Sequence, residues 1–184
     1  MEDFNRKDLT FSLCGLNCEL CPMRLGGYCP GCGGGAGNQP CAIARCSLLH
    51  DRVEYCFLCP DFPCQKYDGA EAYDSFITHQ RQLSDIKRAR EIGMEAYNTE
   101  QIRKSEILQT LLADYNDGRS KTFYCVAVNL LPLPQIEKIM DQVANNPSLS
   151  SLPMKDKAAY LVALFQGYAS QKGLLLKLRK KPAA

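Results

Sequence analysis

The spacing of apolar residues changes near position 68. Beyond that point they recur three and four residues apart, which is the period of one face of a helix. We therefore predict five or six packed helices in this part. Their stripes include Leu108 and Leu111, Val126 and Leu130, Ile136 and Ile139, and Leu161 and Phe165.

Local signals predict where some of these helices begin. Asp68 followed by Glu71 resembles a capping box and predicts a helix over 70–81. Ser84 and Thr99 are expected to cap the next two helices, because short hydroxyl side chains accept from the free N–H groups of a first turn. The closing run GLLLKLRKK predicts a short strand or a frayed end.

The first 67 residues have no such period. The stretches CPGCGGGAGNQPC and CPDFPC are rich in Gly and Pro, and large apolar side chains are sparse between positions 14 and 64. A segment of this size rarely folds through core burial alone and usually needs a covalent or metal staple. This segment is therefore predicted to be irregular and held by something other than a core.

Cysteine is the candidate staple. Of the 11 cysteines in the chain, ten lie in this segment: Cys14, Cys18, Cys21, Cys29, Cys32, Cys41, Cys46, Cys56, Cys59 and Cys64. The opening MEDFNRKDLTFSL lacks the apolar stretch of a secretory signal, which predicts a cytoplasmic protein. Because the cytosol is reducing, metal ligation is favoured over disulfides.

The cysteine spacing favours zinc. A C-x2-C pair lets one tight turn aim two sulfurs at one ion, and four thiolates close a tetrahedral structural site. The ten thiols are enough for about two zinc ions. Four pairs can combine into two sites in three ways, and the simplest nested arrangement joins Cys29/Cys32 to Cys41/Cys46 and Cys18/Cys21 to Cys56/Cys59.

The fold prediction follows from these two patterns. We expect a mostly α protein in which an irregular, metal-held Cys-rich module packs on a bundle of five or six helices. The predicted boundary separates residues 1–67 from residues 68–184.

Iron–sulfur chemistry is the main alternative for the same thiols, since ligation by four cysteines serves both metals. The triplet Cys14, Cys18 and Cys21 also has the C-x3-C-x2-C spacing of radical S-adenosylmethionine enzymes. Such enzymes need repeated strand–helix units, which the helical stripes do not predict. An electron-transfer module therefore stays open as the alternative to zinc.

Four motifs together resemble a known family. The runs CGLNCELCP, CPGCGGG, CAIARC and VEYCFLCPDFPC occur in the order and spacing of the prokaryotic cysteine-rich family designated domain of unknown function 3795. YNDGRSKTFYC and the closing LKLRKK are similar to longer members of that group. The resemblance implies a zinc-binding N-terminal region, and it implies no activity and no catalytic residues.

Other polar residues add little chemistry. His50 lies between Cys46 and Cys56 and is either a replacement ligand or a loop imidazole, whereas His79 is expected at the surface. Cys125 has apolar neighbours and no nearby histidine, which predicts a small buried hydrophobe rather than a nucleophile. The residues therefore favour a non-enzymatic role.

Charge limits the choice of partner. The formal net charge is +2, which argues against a broad nucleic-acid-binding face. Basic residues do cluster in the tail at Lys172, Lys177, Arg179, Lys180 and Lys181. Nucleic acid is thus a second alternative, and deleting Lys177 to Ala184 is expected to leave fold and metal content intact.

The absence of an apolar run of about 18 residues predicts no membrane partner. The leading hypothesis is a zinc-binding protein that contacts a partner, which could be another protein.

Overall fold

The computed structural model describes residues 3–35 and 41–182, and its regular elements are helical. Seven α-helices occur in those residues: α1 (Pro22–Leu25), α2 (Ala42–Leu49), α3 (Gln82–Ile92), α4 (Met94–Asp114), α5 (Lys121–Leu130), α6 (Leu133–Ala144) and α7 (Met154–Gln171). The same residues contain no strand, so the mostly α prediction is confirmed and the short C-terminal strand is not formed. No helix in this part of the chain has both the length and the apolar character to cross a bilayer.

The backbone separates into two compact units. The first comprises Met1–Gln101 and Leu178–Ala184, and the second comprises Ile102–Lys177. This division differs from the predicted boundary at 67/68, because residues beyond 68 complete the core of the first unit. Phe11 is fully buried there, with its ring centroid 4.8 Å from that of Tyr97 and 6.2 Å from that of Tyr55. Ile86 of α3 belongs to the same apolar cluster.

The second unit has the helical stripes that the sequence predicts. Leu108, Leu111, Ile136 and Ile139 are all buried. Phe165 of α7 is fully buried, in edge-on contact with Tyr124 and Phe123 of α5. Cys125, also on α5, is 3% exposed. It is therefore the small buried residue that the apolar sequence around it predicted.

The segment 70–81 is not the helix that the sequence predicted. It forms turns and bends, and Glu71 does not cap a helix of its own. Its carboxylate instead accepts a 2.8 Å hydrogen bond from the backbone N–H of Leu83, in the first turn of α3. The predicted caps are also displaced. Ser84 and Thr99 lie inside α3 and α4, where their hydroxyls donate to the carbonyls of Arg81 and Glu95.

The C-terminal tail is anchored rather than frayed. Arg179 donates from its backbone N–H to Asp74 Oδ2 at 2.6 Å and from its guanidinium to Asp74 Oδ1 at 3.1 Å. The Asp74 side chain is fully buried and also accepts from the backbone N–H of His79. Although burial raises the pKa of Asp74, the hydrogen bonds from Arg179 outweigh it and lower that pKa below its usual value. Removing this tail would therefore leave a buried carboxylate without most of its donors.

We expect Arg179→Ala to destabilise the first unit by about 1–3 kcal/mol, the usual range for hydrogen bonds to a buried charge. Because the Asp74 pKa is lowered in the folded state, the contribution is present at neutral pH and is lost as pH falls through that pKa. Urea unfolding at pH 7 and pH 3 would measure both effects. Lys180→Ala is the matched control, since Lys180 is exposed. Equal stability of the two variants would contradict the anchoring role and restore the expectation that the tail is dispensable.

Candidate metal centre

Two of the C-x2-C pairs adopt the same tight turn. Cys18–Leu20 and Cys56–Leu58 are each one turn of 3₁₀-helix. In both, the backbone N–H of the second cysteine donates to the carbonyl of the first at 3.0 Å, from Cys21 to Cys18 and from Cys59 to Cys56. Both C-x2-C pairs therefore have the tight turn that their spacing predicted.

The four cysteines nearest the end of the Cys-rich segment converge on one cavity. Its volume is about 30 Å³. Its cysteine lining is Cys46, Cys56, Cys59 and Cys64, and we call it the cysteine cavity. Burial, together with the charges of the other three thiols, raises the pKa of Cys56 to about 11. The Tyr67 hydroxyl, which also lines the cavity, donates to the backbone carbonyl of Cys14 at 3.2 Å.

A second group of thiols lies near the start of the segment. Burial, together with the charges of Cys32, Cys41 and the cavity residue Cys56, raises the pKa of Cys14 to about 12. The pKa of Cys18 is also raised to about 12, by burial and then by Cys32. Because zinc binds thiolates, ions taken up here must displace protons, and binding weakens on acidification. This group consists of Cys14, Cys18, Cys32 and Cys41.

The remaining pair is Cys21 and Cys29. Burial raises the pKa of Cys21, and Cys29 is the neighbouring thiol that raises it further. The backbone N–H groups of Met23 and Arg24 donate to the Cys21 sulfur. Hydrogen bonds of this kind stabilise a thiolate. The pair lies beside Cys18, whose charge also interacts with that of Cys21.

These groupings differ from the nested arrangement suggested by sequence order. Cys46 on α2 lines the same cavity as Cys56, Cys59 and Cys64. The chain turns after α2, and the segment with those three cysteines packs back against that helix. Cys41 precedes the same helix and lies with Cys14 and Cys32 instead. Cys29 and Cys32 are separated by Gly31, whose φ is +98° and whose missing Cβ would lie 2.5 Å from the Leu9 carbonyl. Cys29 interacts with Cys21, whereas Cys32 interacts with Cys41.

A buried cation accompanies the second group, beside Cys32. The Arg6 side chain is 2% exposed, and its guanidinium donates to the carbonyls of Glu54, Phe11 and Cys32. Burial raises the pKa of Cys32, while the Arg6 charge lowers it. Arg6 Nη2 lies 3.6 Å from Glu54 Oε1, so the guanidinium is also ion-paired with that carboxylate. A guanidinium beside thiols stabilises their thiolate forms. It would also offset the net negative charge of a divalent ion bound by four thiolates. No sequence spacing pointed to Arg6, which is 26 residues from Cys32.

His50 and Asp61 lie at the rim of the cysteine cavity, beside Cys59. Nδ1 of His50 is 3.7 Å from Cys59 Sγ and 3.9 Å from Asp61 Oδ2. Within residues 3–35 and 41–182, this is the one group of three histidine, cysteine or acidic residues whose ligand atoms all lie within 4.8 Å of one another. We call these three residues the rim triad. Sequence reasoning considered His50 as a ligand and missed Asp61, which follows the C-x2-C pair by two positions.

The donors present are therefore suited to metal. A tetrahedral zinc holds two sulfur atoms about 3.8 Å apart. Among the described cysteines, no three sulfur atoms all lie within 4.8 Å of one another. The thiols of each group must therefore move closer together to share an ion. Ten cysteines with soft sulfur donors, together with the rim triad, indicate metal binding.

Comparisons with protein-family models, curated proteins and solved structures found no match to this chain. The class of protein is therefore defined by its own features, a helical protein with a cysteine-rich metal-binding segment.

Proposed function

We propose that the first unit is a structural zinc module and that the protein binds a partner rather than transforming a substrate. The observation that carries this proposal is the convergence of Cys46, Cys56, Cys59 and Cys64 on one small cavity. Four thiolates saturate a tetrahedral zinc and leave no position for a substrate water. The second thiol group, with Cys14, Cys18, Cys32 and Cys41, supports a second ion.

Soft thiolates serve zinc and iron–sulfur clusters alike, so the donor set by itself allows either. The resemblance of the four cysteine motifs to a zinc-binding family favours zinc.

Exposed apolar side chains support a partner. Leu49 at the end of α2 is 85% exposed, and Leu58 beside Cys59 is 55% exposed. Both belong to elements that line the cysteine cavity, so metal binding would fix the backbone that presents them. We propose a protein surface as the partner, since a net charge of +2 gives nucleic acid little attraction.

Metal analysis of protein purified without air tests the choice of zinc. The expected result is a colourless sample with about two zinc ions per chain, because two groups of four thiolates each hold one ion. Elemental analysis and the ultraviolet–visible spectrum measure it directly. A brown sample containing iron and acid-labile sulfide would overturn the zinc assignment and establish the electron-transfer alternative.

A further inference from the structure

We propose that the rim triad of His50, Cys59 and Asp61 is an exchange position for zinc, through which an ion reaches and leaves the cysteine cavity. The inference rests on the proposed function, because it assumes that the cavity holds zinc. It adds a second, transient binding position that shares one ligand with the structural site.

The distances within the triad fit one shared ion. With zinc–ligand bonds of about 2.0–2.3 Å, two ligands of a tetrahedral ion lie about 3.3–3.8 Å apart. His50 Nδ1 already lies 3.7 Å from Cys59 Sγ and 3.9 Å from Asp61 Oδ2. Little movement is therefore needed for the three atoms to bind one ion, whereas the four cysteines must move closer together.

The donor set makes this position weaker than the cavity and easier to leave. One nitrogen, one sulfur and one oxygen suit zinc, but four thiolates suit it better. Three protein ligands also leave a coordination position open to water or to a chelator, as in zinc sites that exchange a ligand. An ion at the rim would therefore pass inward to the cavity, where its final ligands are stronger.

Exposure gives the triad access to solvent. The side chains of His50 and Asp61 are 36% and 65% exposed, whereas the cysteines of the cavity are partly buried. Ile43, Val53, Phe62 and Lys66 line the cavity together with those cysteines. Asp61 is therefore well placed to capture a hydrated ion at the surface, next to Cys59.

Cys59 makes transfer a stepwise ligand substitution. The ion keeps its bond to Cys59 while Cys46, Cys56 and Cys64 replace His50, Asp61 and water. Each thiol that binds releases its proton to solvent, and no electron is transferred. Release follows the same steps in reverse, so the triad should accelerate exchange in both directions without changing the final ligands.

The test uses full-length, zinc-loaded protein and measures the rate at which bound zinc exchanges with isotopically labelled zinc. The double variant His50→Gln, Asp61→Asn should exchange the ion of the cysteine cavity about tenfold more slowly, the lower end of the effects seen for groups supporting a metal site. Its total zinc content should equal that of the wild type. Asp68→Asn is the charge-matched control, since Asp68 is exposed and lies outside the triad.

Two results would overturn the proposal. An unchanged exchange rate in the double variant would show that the ion does not pass through the triad. Loss of zinc from the double variant would show that His50 or Asp61 is a resident ligand of the structural site. Failure of the proposed function is a separate result, because wild-type protein would then contain no zinc before any exchange is measured.

Discussion

Replacing Cys56 with serine is expected to release one zinc ion and unfold the first unit while the second stays folded. Cys56 is a ligand candidate in the cysteine cavity, and it also packs against both apolar clusters of the first unit. A hydroxyl is a poor substitute for a thiolate at zinc. Structural zinc contributes roughly 10–16 kcal/mol in small metal-held domains. Few compact units retain their fold after losing a contribution of that size.

Hydrogen exchange combined with zinc analysis would measure this effect. Protection should be lost in the described residues up to Gln101 and kept from Ile102 to Lys177. Cys125→Ala is the matched control, because Cys125 is buried in α5 and lies outside the Cys-rich segment. It should leave the zinc content unchanged. If Cys56→Ser retained both ions, or if both units unfolded together, the independent zinc-held unit would be the wrong description.

Phe11→Ala is expected to destabilise the first unit by about 3–5 kcal/mol, the usual cost of deleting a fully buried aromatic ring. Phe11 has no exposed surface and contacts the rings of Tyr55 and Tyr97. These contacts join Phe11, just before the Cys-rich segment, to residues 44 and 86 positions later. Urea unfolding of the zinc-loaded protein, followed through hydrogen exchange in the first unit, would measure the loss.

Phe76→Ala is the control for this prediction, because the same side chain at that position is 66% exposed. Its effect should stay within about 0.5 kcal/mol, as for most surface substitutions. A similarly small effect of Phe11→Ala would mean that the metal ions alone hold the unit and that its apolar cluster contributes little.

The helices of the second unit could be predicted because their signals are local. Residues such as Ile136 and Ile139 lie on one face whatever the helix packs against. The segment 70–81 could not be predicted in the same way. Asp74 is bonded to Arg179, 105 positions later, and Glu71 caps a helix 12 positions later. Glu71 looks like part of a local capping box in the sequence, and Asp74 gives no signal there, so distant partners decide the structure of this segment.

The identity of the candidate ligands could be read from the sequence, but their grouping could not. Spacing within a C-x2-C pair is local, whereas the meeting of Cys46 with Cys64 depends on how the intervening chain turns. Cys29 and Cys32 show the limit, because their spacing suggests a shared ion although Cys29 interacts with Cys21 and Cys32 with Cys41. Nothing in the sequence marks Arg6 as part of the candidate metal centre, because its charge lies beside the Cys32 thiol only in the folded chain.

The division of the chain has a consequence for synthesis. The first unit contains Asp74 and its partner Arg179, and the entire second unit is encoded between them. At the usual rate of translation of about 5–20 residues per second, Arg179 is made roughly 5–20 seconds after Asp74. During that interval the cysteines are already available to bind metal, whereas the buried carboxylate still lacks its cation. The nascent first unit therefore depends on its apolar cluster, and on any metal its cysteines bind, until the ribosome delivers the last contact.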